Sequence, residues 1–343
     1  MLRTSSDAPF ASLFAGAADR AGLFERHYTI AGLRFSMRFA GEQMLTVVGR
    51  SFEHLASEPA DEPVLTVNLW DSESGGVEPP PLLGELIETD ESGPMYYYER
   101  DGVQAMGRWR TLSVLDAPAY EAWFWTPDPA SMASWDWAAP LRGILHWWLG
   151  SHGIVQVHGG AVGLAEGGVL VVGRGGSGKS TTALSSLAAG LRYAGDDFVA
   201  ITTEPEPWVH SLYCSGKLDP THLERFSRLP AEVANPRRGP DEKAIVYVDR
   251  AFPGSPIGGF PLRAVLIPRV VAREPDTRLV PASAPAALAA LAPSTIFQLY
   301  PPQKNALAAM AALVRAVPCF SLELGSDIDR IPEAIVELVE ARR

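Results

Sequence analysis

Residues Gly173-Arg174-Gly175-Gly176-Ser177-Gly178-Lys179-Ser180, followed by Thr181, match G-x-x-x-x-G-K-[ST] at every fixed position. Glycines let a backbone wrap closely around an anion, so that successive N–H groups point inward at it. A helix beginning at Lys179 would add the positive end of its dipole to that field. In such a pattern Lys179 reaches β- and γ-phosphates and the Ser180 hydroxyl ligates Mg²⁺. Val169–Val172 reads as a buried strand and Lys179–Ala189 as a helix, so the Walker A letters fall in a strand–loop–helix context. The expectation is a nucleoside-triphosphate site. Kinases, ATPases, GTPases and transporters all share this motif, and other residues must choose among them.

Two further groups bear on that choice. Asp196 and Asp197 stand seventeen and eighteen residues after Lys179, between Tyr193-Ala194-Gly195 and Phe198-Val199-Ala200-Ile201. Adjacent carboxylates at a strand mouth repel unless a cation or a proton transfer uses them. In a phosphate site one would help to hold Mg²⁺ and the other would accept a proton from an attacking hydroxyl. A polar turn is the plainer reading of Gly195-Asp196-Asp197. Upstream, His158 closes the run Val155-Gln156-Val157-His158, where a histidine serves structure as readily as chemistry.

Taken in order, His158-Gly159, Gly173–Ser180 and Asp196-Asp197 resemble the catalytic domain of the HPr kinase/phosphorylase family. Leu212–Leu218 and Ala292–Leu299 look like segments of a divergent, HPr-kinase-like serine kinase branch, some members of which accompany peptide-modifying gene sets. The resemblance spans roughly residues 140–340. It implies an α/β, PEP-carboxykinase-like P-loop kinase domain that transfers the γ-phosphate of ATP, with Mg²⁺, to a serine hydroxyl of a protein or peptide. By the same resemblance Asp197 is the proton acceptor and Asp196 its neighbour at the metal–phosphate site. His158 assists proton handling, Lys179 clamps phosphate and Ser180 ligates magnesium. Related kinases assemble into rings, which leaves a homo-oligomer open. The family's downstream glycine-rich signature, with its metal-ligating glutamate, has no counterpart here: Glu204, Glu206 and Glu224 lie in the region but outside any such motif. The expected activity is therefore a kinase without phosphorylase function. Lys217, Lys243 and Arg269 are candidates for stabilising charge near the site.

Two other readings stand beside this one. A carboxykinase-type small-molecule phosphotransferase would need a His, Lys and Asp metal site, of which His158 and Lys217 are the visible members. A nucleotide-binding regulator without transfer would find a Walker-B-like strand in Ile245-Val246-Tyr247-Val248-Asp249, which also reads as an ordinary strand with a solvated end. No Asn-Lys-x-Asp motif speaks for a GTPase, and no Leu-Ser-Gly-Gly signature speaks for an ABC-type ATPase.

The elements that must position these residues divide in two. Residues 1–138 read as a smaller, mainly β domain that could dock the acceptor. Leu33, Phe35, Met37 and Phe39 alternate with polar residues, Leu65–Leu69 repeats the pattern, and Met95–Tyr98 and Ala122–Trp125 are strand-like aromatic runs assigned to the core. The first 25 or so residues read as a loose terminus or short helix, and Asp71–Pro81 as a loop. Residues 139–343 form the catalytic domain, opened by a helix from Pro140 whose stripe Leu141, Ile144, Leu145, Trp148 and Leu149 would pack onto that domain. From Gly153 short apolar runs alternate with helical patterns, as in an α/β layer.

Charge and composition exclude several classes. Across 343 residues the net charge is −11, which provides no basic field for nucleic acid or anionic lipid. Arg237 and Arg238 read as solvated. No apolar run approaches the about 18–20 residues of a membrane helix, and Phe10–Ala18 lacks the basic start of a signal peptide. Cys214 and Cys319 show no metal spacing and fit a reduced pair, so the expected location is the cytoplasm.

Overall fold

The computed structural model describes residues 7–59, 63–90, 93–108, 110–223, 226, 229–236, 238–239, 242–271 and 275–342. It is a mixed α/β protein that divides into two compact units, Met1–Trp148 and Leu149–Arg343.

In the first unit the strands are β1 (Leu23–Ile30), β2 (Leu33–Ala40), β3 (Thr66–Asp71), β4 (Glu85–Asp90), β5 (Gly93–Arg100), β6 (Val103–Arg108), β7 (Thr111–Asp116) and β8 (Glu121–Thr126). They form one sheet in the order β1-β2-β3-β8-β7-β6-β5-β4. β3 runs parallel to both β2 and β8, and the remaining pairs are antiparallel. Instead of a loose start, the helix Asp7–Ala21 brings Phe10, Phe14 and Ala17 onto Trp70 and Trp123. These three recur at i, i+4 and i+7, the spacing of a single helix face. The segment after β3 holds a helical turn, Ser72–Gly75, capped by Asp71 through a 2.6 Å bond from the Ser74 N–H. Of the strand-like aromatic runs, Met95, Trp123 and Phe124 are buried core residues, whereas Tyr96, Tyr97, Tyr98 and Trp125 are half-buried.

Leu141 takes a left-handed conformation at φ 58°, which delays the next helix to Arg142–Ser151. Trp147 packs at a tilt against Tyr97 and Trp148 against Phe35, with ring centroids 6.3 and 5.4 Å apart. These contacts tie the first part of the helix to the first unit. The division therefore falls at 148/149, ten residues beyond the 138/139 boundary expected from composition.

The second unit contains β9 (Val155–His158), β10 (Gly160–Leu164), β11 (Gly167–Val171), β12 (Arg192–Gly195), β13 (Phe198–Thr202), β14 (Trp208–Ser211), β15 (Ser215–Leu218), β16 (Ala244–Tyr247), β17 (Gly259–Val270), β18 (Arg278–Ala282) and β19 (Cys319–Leu324). Nine of them build a sheet ordered β12-β10-β11-β17-β14-β13-β9, with β19 on β17 and β18 on β19. The long β17 organises it. Its beginning pairs antiparallel with β14, and the rest runs parallel to β11 and β19. Helices Lys179–Ala188 and Arg330–Glu340 cover one apolar core, and helices Ala284–Ile296 and Ala306–Ala316 cover another. Strands β15 and β16 form a separate two-stranded ribbon. Both cysteines are buried and free, and no helix among the described residues is long and apolar enough to cross a membrane.

Candidate functional site

The glycine-rich segment leaves the sheet where β11 ends beside β17, the pairing extended by a 2.8 Å bond from the Val172 N–H to Leu266 O. It then turns into the helix starting at Lys179. Gly178, just before that helix, has φ 109°, a left-handed conformation that favours glycine, and a Cβ there would also have to displace the end of the Leu324 side chain. The buried Lys179 folds back across the loop and donates to Gly173 O at 2.7 Å and Arg174 O at 3.2 Å. Burial pushes its pKa down, against the upward pull of Asp196 and Asp197. Gly175, Gly176, Gly178, Lys179, Ser180 and Thr181 line one side of a cavity of about 650 Å³.

Both aspartates lie on the tight corner between β12 and β13 and line the same cavity. Antiparallel pairing sets His158 opposite Phe198, and the Gly159 N–H donates to Asp197 O at 3.0 Å. Those constraints bring His158 Nε2 to 3.2 Å from Asp197 Oδ1. The other Asp197 oxygen is 2.6 Å from Lys217 Nζ, a lysine carried by the β15–β16 ribbon. Behind the imidazole, the Gln298 amide nitrogen is 3.2 Å from His158 Nδ1, and Thr295 Oγ1 accepts from the His158 backbone N–H at 3.1 Å. With Gln298 donating to Nδ1, the neutral ring carries its proton on Nε2 and donates it to Asp197.

The surroundings shift the two carboxylates in opposite directions. Burial pushes Asp196 up, only partly countered by the Lys217 N–H at 3.0 Å, with the Ser180 hydroxyl and Lys243 pulling the same way as that N–H. Its Oδ1 atom is enclosed and accepts no hydrogen bond among the described residues. For Asp197 burial also pushes up, but the Lys217 ammonium and the His158 bond together hold the carboxyl well below the usual carboxylate range. Asp197 is an anion at neutral pH.

The structure thus gathers His158, Lys179, Ser180, Thr181, Asp196 and Asp197 around one cavity, together with Lys217 and Lys243. Gly173, Arg174 and Ser177 face the other flank of the loop, and so does Arg269. Glu204 and Glu206 do not line the cavity, Glu206 instead approaching Arg263 at 3.9 Å. Glu224 and Arg237 lie outside the described residues. Asp249 sits on the helical turn after β16, away from the cavity lining and off the main sheet, which removes the Walker-B-like reading of that strand. Gln298 and Thr295 lie in the Ala292–Leu299 segment that carries part of the resemblance, but nothing there marks either as a site residue. They are 140 and 137 positions from His158, and no local spacing reports such a contact.

No family model matches the chain, and no curated protein matches it. Among solved structures it is similar to the HPr(Ser) kinase/phosphatase from Coxiella burnetii, at 13% identity and a TM-score of 0.32, over 54% of this chain and 88% of that one. A likeness that weak says nothing of activity, and the site's own geometry must carry the function.

Proposed function

We propose that this cavity binds ATP with Mg²⁺ and transfers the γ-phosphoryl group to a serine hydroxyl of a protein or peptide. The observation that carries the reading is the placement of an ionised Asp197, braced by His158 and Lys217, across one cavity from Lys179 and Ser180. The loop N–H groups and Lys179 would cradle the phosphates. Ser180 and Asp196 suit a magnesium ion. Asp196 offers an enclosed oxygen without a hydrogen-bond partner, and Mg²⁺ is commonly held by one or two carboxylates plus substrate phosphates. When bound, that ion would offset charge on the phosphate oxygens.

In this scheme the acceptor Oγ–Pγ bond forms while the Pγ–O bond to ADP breaks, and the hydroxyl proton passes to Asp197. A carboxylate has about four lone-pair sites. His158 and Lys217 each engage one oxygen of Asp197, which leaves room for an incoming hydroxyl. A carboxylate held this low is a weak base, so its main part would be to orient the hydroxyl, as a loose transition state that relies mainly on positioning allows. Lys217 would also offset charge near the transferring group.

The carboxykinase-type alternative draws on the same cluster, since His158, Lys217 and Asp197 are neighbours. It would need their lone pairs to converge on a cation. Instead Lys217 and His158 both turn toward Asp197, which favours proton transfer over a metal centre built from them. Incubation with labelled ATP against serine peptides and small hydroxy or carboxy acceptors, read by mass spectrometry, separates the two. ATP binding with no transfer to any serine acceptor would end the kinase reading.

A further inference from the structure

On the far flank of the glycine-rich loop lies a second open groove, of about 900 Å³. Its walls mix apolar side chains, Val270 and Pro293 among them, with the hydroxyls of Ser177, Ser294 and Ser321. Only two charged side chains line it, Arg174 and Arg269, and both are positive. Neither guanidinium has an ion-pair partner among the described residues; Glu323, opposite Arg269 in the strand register, does not line the groove. In a chain of net charge −11, such a local excess of positive charge calls for an anionic occupant.

The groove adjoins the reaction centre. It shares Gly175, Gly176 and Val270 with the first cavity, and its Ala290, Pro293 and Ser294 belong to the helix Ala284–Ile296. That helix delivers Thr295 and, just past its end, Gln298 to His158. From Ala290 to Gln298 the helical rise is about 12 Å, the span of three to four extended residues at about 3.3–3.6 Å each.

We propose that this groove seats an acidic polypeptide acceptor, with an Asp or Glu about three to four residues from the target serine paired to Arg174 and Arg269. The proposal rests on the phosphoryl-transfer reading for the serine and on the groove alone for the acid. Guanidinium groups grip carboxylates bidentately, which would fix register as well as charge. The acceptor preference it implies is acidic, the opposite of what net charge suggests.

The test uses the full chain and serine-centred synthetic peptides carrying Asp, or Lys at the same position, along their length. Peptide binding is read by fluorescence anisotropy and phosphate transfer by mass spectrometry, for the wild type and Arg269→Glu. We expect the Asp peptides to bind about tenfold more tightly than the Lys peptides, with the preference reversed in Arg269→Glu. ATP affinity, measured separately, should stay within about twofold in that variant. Equal binding of both peptide sets, insensitivity to Arg269→Glu, or displacement of the peptide by ATP alone would overturn the groove assignment. Transfer to serine irrespective of flanking charge would retain the kinase and discard the groove. Charge-selective binding without transfer would do the reverse.

Discussion

Lys217 secures both aspartates at once: its ammonium lies 2.6 Å from Asp197 Oδ2, and its backbone N–H donates to Asp196 Oδ2 at 3.0 Å. One residue on the β15–β16 ribbon therefore sets the charge of one carboxylate by ion pairing and the orientation of the other by a main-chain bond. A side-chain substitution can remove the first effect while leaving the second in place.

Lys217→Met tests that separation. It should lower phosphate transfer about 10²-fold, because Asp197 loses the cation that favours its anion. Stability should fall by about 2 kcal/mol, less than for a fully buried pair since both side chains retain some exposure. Urea denaturation and transfer assays on one preparation check both. Wild-type values in each would show that the pair does neither job.

Asp197→Asn should keep ATP affinity and lose transfer by about 10²-fold or more, the usual contribution of a positioned general base. Normal turnover by this variant would remove Asp197 from the mechanism. Because its pKa is held well below the carboxylate range, Asp197 stays ionised throughout the neutral region and should produce no acidic limb there in a pH–rate profile.

Lys179→Ala should act on binding instead. In the proposed reaction this side chain meets the phosphates, and in the structure it donates to the Gly173 and Arg174 carbonyls. Calorimetric titration with ATP should show affinity reduced by at least about tenfold. An unchanged dissociation constant would count against the loop as a phosphate cradle.

Gln298→Leu should leave the fold intact and release the His158 ring. Losing the donor to Nδ1 lets the imidazole populate its other tautomer, in which Nε2 can no longer donate to Asp197. Nitrogen NMR of labelled histidine should report the mixed tautomer, alongside a fall in transfer of about tenfold. A single unaltered tautomer in the variant would show that Gln298 does not orient the ring.

His210 gives an acid-side stability signature independent of the site. It faces Thr202 Oγ1 at 3.1 Å, and burial pushes its pKa down from 6.5 to about 4. Below the unfolded pKa the unfolded chain takes up this proton more readily than the folded one. Stability is thus fully present above about pH 6.5 and is lost as pH falls toward 4, by about 3 kcal/mol. Denaturation midpoints compared with His210→Gln at pH 7 and 4.5 isolate this group. Parallel curves for the two proteins would refute the assignment.

Much of the architecture near the site can be read locally. The run Gly173–Ser180 is contiguous, so its turn-and-helix geometry follows from glycine freedom and helix initiation within a few residues. Strands with a buried alternation, such as β2, announce themselves in the same way. Short strands such as β10, with the sequence Gly-Ala-Val-Gly-Leu, carry no propensity signal and exist because β11 and β12 pair with them. The helix Asp7–Ala21 has its apolar face in view, yet only the sheet beneath Phe10 and Phe14 makes that face worth ordering. The unit boundary depends likewise on where Trp147 and Trp148 find ring partners.

From its letters alone the chain specifies a glycine-rich loop of the G-x-x-x-x-G-K-[ST] pattern, an adjacent carboxylate pair downstream of it and an acidic overall charge. Those properties reside in neighbouring residues and in composition. Strand pairing and helix packing decided the rest: the direction in which each aspartate is shifted, which atom of His158 faces Asp197, that Gln298 belongs to the centre, and that Lys217, unlike Arg269, pairs with a site carboxylate. Such facts arise from burial and from contacts across tens to more than a hundred residues, where charge energies depend on the folded surroundings and no spacing in sequence encodes them.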